Sequence, residues 1–107
     1  MRPFVLNGQV WRVVRVAPDD PILVDRTGWL SIATADPVHR MIAVSRAVVP
    51  PRFDRVLLHE IGHAVTMAYG LRVDEASAQL IENHAIEAVT LASEVLGRPV
   101  CVDGSCL

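Results

Sequence analysis

At 107 residues, with 51% apolar and 21% charged side chains, the chain is long enough to bury one core and too apolar to stay disordered. A formal charge of -2, with its arginines scattered, offers no electrostatic footprint for nucleic acid or an anionic membrane. No stretch reaches the ~20 apolar residues that span a bilayer, and Met1 to Arg12 lacks the apolar run of a signal peptide. The expectation is therefore a single cytoplasmic domain.

The first elements read as strands. Phe4-Val5-Leu6, the turn Asn7-Gly8 and the run from Gln9 to Val16 predict a β-hairpin, because both turn residues tolerate positive φ. After a polar loop from Ala17 to Pro21, two short strands are expected at about Trp29 to Thr34 and Met41 to Ser45, parted by a turn at Asp36-Pro37. Pro50-Pro51 closes the strand region, and Pro51 suits the first turn of a helix. From Arg52 to about Tyr69 the apolar residues Val56, Leu57, Ile61, Ala64, Val65 and Ala68 recur in steps of three and four, with Gly70 as the stop. Asp74 is a good N-cap for a second helix from Glu75 to about Leu96, ended by Gly97 and Pro99. Residues 98–107 read as a tail. Its Cys101 and Cys106 are expected as two thiols, since two closely spaced cysteines are too few for a disulfide scaffold. The fold class is α+β, a small antiparallel or mixed sheet with both helices on one face.

The chemistry gathers on the first helix. His59 and His63 are four apart and project from one face, a turn from each other, so both imidazoles can reach one zinc ion at ~2.0–2.1 Å. Glu60, beside the first of them, can take a proton from a metal-activated water without filling a ligand place, the H-E-x-x-H arrangement of zinc peptidases. No proline interrupts the segment, and Val56-Leu57-Leu58 and Ala64-Val65 flank it, as befits a helix set against a core. Zinc needs a third protein ligand. The places where a glycine and then a third histidine would continue a metzincin pattern hold Thr66 and Tyr69, so the ligand must come from elsewhere. Glu75 and Glu82, seven apart on one face of the second helix, both qualify, with Asp74 and Glu87 less well placed.

The run from Leu57 to Val65, followed by Tyr69-Gly70-Leu71 and Glu75-Ala76-Ser77-Ala78-Gln79, resembles the ImmA/IrrE-type zinc metallopeptidases, most of all their short forms in phages and mobile elements. The stretch from Asp25-Arg26-Thr27-Gly28 to Asp36, then Arg40 to Ser45, is similar to the glycine turn and strand that precede the metal helix there. The likeness covers about residues 25–97. It implies a minimal zincin-like (gluzincin-like) fold, one zinc ion, Glu75 as the third ligand beside His59 and His63, and Glu60 as the catalytic base. It also implies an edge strand at Met41 to Val44 to which an extended peptide adds, hence an endopeptidase acting on a protein or peptide, a regulatory protein such as a repressor included. Gln79 stands where that family has asparagine, and its Leu-Met-Pro-like ending is missing.

Other polar residues carry blander expectations. His84 falls on the face opposite Glu75 and reads as a surface histidine, whereas His39, just before the fourth strand, is a candidate for holding an oxyanion. Tyr69 is rotated from His59 and reads as a packing residue with its hydroxyl satisfied locally, and Trp11 and Trp29 read as core or rim. The competing function is a non-catalytic protein that keeps the helix pair and its metal for stability. Glu60 argues against it, because a purely structural site needs no carboxylate there.

Overall fold

The chain first turns back on itself at Asn7 and Gly8, both at positive φ (50° and 75°), and β1 (Phe4–Leu6) pairs antiparallel with β2 (Gln9–Val16). Phe4 and Leu6 point inward while Val5 points out, and the Phe4 ring stacks on Trp11 across the register at 6.1 Å. This computed structural model describes residues 1–25, 27–70, 78–102 and 105–106, with the side chains of all but 78–84 and 105.

Beyond the hairpin, β3 (Ala33–Asp36) runs antiparallel to β4 (Met41–Ser45), and β4 runs parallel to β2, so the sheet order is β1-β2-β4-β3. The edge expected at Met41 to Val44 is thus an interior strand, and β3 is the edge. The reason lies in the side chains: Ile42, Ala43 and Val44 are all at 0% exposure, and a run of three buried apolar residues marks a strand covered on both faces. Ile42 and Val44 enter the main core, while the short 3₁₀ turn Pro21–Leu23 packs against β3 and β4 and buries Leu23. The strand expected from Trp29 begins only at Ala33. Asp25 accepts hydrogen bonds from the Thr27 amide (2.8 Å), the Thr27 hydroxyl (2.6 Å) and the Trp29 amide (3.0 Å), with Gly28 at φ 86°, so this stretch is a turn that leaves Trp29 76% exposed at the rim.

α1 (Arg52–Ala68) lays Phe53, Val56, Leu57, Ile61, Ala64 and Val65 against the sheet, and Gly70 at φ 64° follows its end. α2 (Ala78–Leu96) adds Ala88, Leu91, Ala92 and Val95 to the same core, which Phe4, Leu6, Trp11, Ile42 and Val44 complete. Each large aliphatic side chain buried there contributes roughly 1.5–3 kcal/mol. The N-cap expected at Asp74 and the first turn from Glu75 lie outside the described residues. The entry to α1 is fixed from β2: the Arg15 guanidinium donates to the carbonyls of Val48 (2.6 Å) and Ser45 (3.3 Å) and lies over the Phe53 ring at 4.6 Å.

Within the expected tail two short strands form a hairpin. β5 (Cys101–Val102) pairs antiparallel with β6 (Ser105–Cys106), and the register sets Cys101 opposite Cys106. The two are joined in a disulfide, which corrects the expectation of free thiols: strand pairing brings together residues whose spacing alone does not announce a bond. Asp54, buried in the first turn of α1, fastens the hairpin. It accepts two hydrogen bonds from the Arg98 guanidinium (2.7 and 2.8 Å) and one from the Cys101 amide (2.9 Å).

The Arg98 hydrogen bonds, and then that of Cys101, hold the Asp54 carboxyl below its ordinary value against the opposing effect of burial. A folded-state value below the unfolded one contributes stability that is full at neutral pH and lost as pH falls through the range of an ordinary carboxylate and below. Asp54→Asn should therefore cost about 1–2 kcal/mol in urea unfolding at pH 7, and the gap to the unmodified chain should narrow below about pH 4. A gap that does not change with pH would show that the carboxylate charge plays no part.

Candidate metal centre

On α1 the residues Arg52, His59 and His63 follow one another in steps of seven and four, and form one stripe along the helix. The buried face is fixed by Leu57, Ile61, Ala64 and Val65, so the stripe is carried round to solvent and both histidines are exposed. Their rings meet edge to face, centroids 4.6 Å apart, with the two Nε2 atoms 3.0 Å from each other. Two nitrogens on one tetrahedral metal ion at ~2.05 Å stand about 3.3 Å apart, so the pair is pre-set for a shared divalent cation. In solvent, a single N–H···N bond between two exposed rings would hold them only weakly, by roughly 1 kcal/mol.

Glu60 differs from the two histidines in being only 8% exposed. Burial raises its carboxyl above the ordinary value, and the positive potential of His63 and then His59 works the other way. A buried carboxyl next to two imidazoles can exchange a proton with a reactant.

His59 and Glu60 open onto a cleft of about 1120 Å³. α1 contributes Arg52, Asp54, Arg55 and Val56 to it, the approach to the edge strand contributes Ser31, Ile32 and Ala33, and the C-terminal hairpin contributes Cys101 and Val102. The edge is oriented by its register. The Ser45 amide donates to the Ile32 carbonyl (2.8 Å), and hydrogen-bonded and non-bonded pairs alternate along an antiparallel ladder. Ala33 and Ala35, opposite Val44 and Ile42, consequently turn their main-chain groups away from β4. The Ser31 hydroxyl reaches the Ala33 carbonyl at 3.1 Å and the Leu23 carbonyl at 2.8 Å, which holds the start of this edge in place.

The described residues bring together His59, His63 and Glu60, and no group of three metal-ligating side chains occurs among them. Glu75 and the side chain of Glu82 lie outside the described residues, as does the side chain of His84. His39 is in the β3–β4 turn with its Nδ1 2.6 Å from an Asp36 carboxylate oxygen, and it is not among the residues that line the cleft. The Tyr69 hydroxyl donates to Glu87 at 3.3 Å across the two helices, so it is satisfied locally, but the residue is exposed at the surface and is not packed in the core. Asp54, Arg98 and the hairpin residues were not legible as cleft residues in the sequence, where 44 positions separate Asp54 from Arg98.

Residues 22–96, more than two thirds of the chain, match the IrrE N-terminal-like domain, Peptidase_M78. The chain belongs to this family. No curated protein and no solved structure matches it. Members are generally zinc-dependent peptidases, and a histidine pair with a buried glutamate is the kind of donor set that such a family requires. The IrrE-like match takes in the turn at Asp25, β3, β4 and both helices, and ends before β5. No described helix is long and apolar enough to cross a membrane.

The histidine pair predicts a ligand-dependent melting temperature. Zinc at a hundredfold excess over its Kd stabilises the folded state by about 2.7 kcal/mol, which for a chain of this size is a rise of roughly 10 °C. His63→Ala should abolish the rise without changing the melting temperature of the metal-free protein by more than a few degrees; an equal rise in that variant would refute ligation by His63.

Proposed function

We propose that this IrrE-like chain is a zinc-dependent endopeptidase in which His59, His63 and Glu75 hold one zinc ion and Glu60 is the general base. The observation that carries the reading is the convergence of the two Nε2 atoms at 3.0 Å next to a buried carboxyl, beside a cleft that His59 and Glu60 line and the edge strand β3 borders. Zinc, when bound, supplies Lewis acidity that lowers the pKa of water and polarises a carbonyl.

The chain's own residues do the rest. An extended peptide adds to the β3 edge through the outward main-chain groups of Ala33 and Ala35, and Ile32, Ala33 and Val56 receive its side chains. Binding along an open edge asks for no chain terminus, which favours internal cleavage. Glu60 accepts the proton of the attacking water and delivers it to the leaving amine, and its burial both raises its affinity for that proton and keeps competing water away. The substrate is a protein or peptide, with a regulatory protein as the proposed biological target.

Glu60→Gln should keep zinc at one ion per chain by elemental analysis and lose at least a hundredfold in peptide hydrolysis; undiminished turnover would remove Glu60 from the chemistry. Glu75→Ala should weaken zinc binding more than Glu82→Ala, and the reverse order in a competition titration would transfer the third ligand to Glu82.

A further inference from the structure

The C-terminal hairpin lies beyond the family match, which ends at residue 96, yet it is built into the cleft that contains His59 and Glu60. Three features make it a wall and not a loose end. Asp54 binds Arg98 and the Cys101 amide at once, so the hairpin is anchored to the helix that carries the histidines. Asp54 precedes His59 by five residues, about 7.5 Å along the axis, which ties the hairpin's position to that of the histidine. The Cys101–Cys106 disulfide closes the hairpin next to Val102, and the bond from the Cys101 amide to Asp54 ties that end of it to α1. Val102 is half-buried, and with Val56, Ile32 and Ala33 it gives this part of the cleft an apolar surface.

We propose that the disulfide-closed hairpin is the specificity wall of the cleft, with Val102 as the residue that admits a medium-sized apolar side chain of an extended peptide and Asp54 as the residue that positions it. The inference deepens the peptidase reading and rests on it for the identity of the bound peptide. Filling the wall should reject large side chains and keep small ones. Cutting the disulfide should let the hairpin leave Asp54 and widen the choice.

The test uses the full zinc-loaded chain and blocked octapeptides of alanine with one position varied among glycine, valine, leucine and phenylalanine. Binding is followed by amide shifts of Cys101 and Val102, and hydrolysis by mass spectrometry. Leucine peptides should shift both amides. Val102→Trp should weaken leucine and phenylalanine peptides at least tenfold while glycine peptides change less than twofold. The double variant Cys101→Ser, Cys106→Ser should lose exchange protection at the residue 101 amide and accept phenylalanine as well as leucine. Octapeptides that bind without touching Cys101 or Val102, an unaltered preference in Val102→Trp, or no octapeptide binding at all would each overturn the hairpin's role. Peptides that bind at the hairpin with the expected preference but are never cleaved would sink the peptidase reading and leave the wall standing.

Discussion

The rotational setting of α1 is the constraint on which the site depends. Leu57, Ile61, Ala64 and Val65 are buried to within about one per cent, and no other rotation of this helix would take all four out of water. Rotating the helix by one residue, 100°, would bring a histidine towards the core and turn Glu60 out. At roughly 1.5–3 kcal/mol for each large aliphatic side chain, the apolar face outweighs anything that two exposed imidazoles gain from facing each other. The histidine pair is therefore placed by hydrophobic packing, and its 3.0 Å separation follows from the helix repeat.

Glu60 is where packing and chemistry oppose each other. Its position next to Ile61 draws it under the surface, where a carboxylate loses hydration and its proton affinity rises. A site selected for stability alone would place an apolar residue there. Asp54, one and two-thirds turns earlier on the same helix, shows the opposite arrangement: a buried carboxylate whose charge is met by Arg98 and the Cys101 amide and whose proton affinity falls. One helix thus carries an acidic group held ready for a proton and another held away from one, and neighbouring donors make the difference.

The cleft is assembled from parts distant in sequence. The Asp25 turn and the Ser31 hydroxyl set the edge strand, Arg15 fixes the approach to α1, and Asp54 fixes the C-terminal hairpin. Each of these is a polar side chain bonded to main-chain groups, which orients a segment that lacks enough apolar residues to orient itself. The family match covers β3, β4 and the helices, and the hairpin is the part of the cleft that lies beyond it.

Much was legible in the sequence because short-range rules govern it. The Asn7-Gly8 hairpin, the limits of α1 and the shared face of His59 and His63 each follow from a turn preference or a 3.6-residue repeat, and both are local. That Glu60 adjoins the pair was equally plain, since it follows His59 directly. The strand order was not: Ile42-Ala43-Val44 reads as a strand in either an edge or an interior place, and only the parallel partner β2 decides between them. The Asp54–Arg98 bridge and the place of the hairpin were invisible for the same reason, since they depend on burial and on donors that arrive from 44 to 47 residues away, and the cysteine pair became a disulfide only through the pairing of β5 with β6. Sequence alone fixed which side chains share a helix face; the folded packing chose the face that meets solvent, the strand that borders the cleft and the segment that closes it.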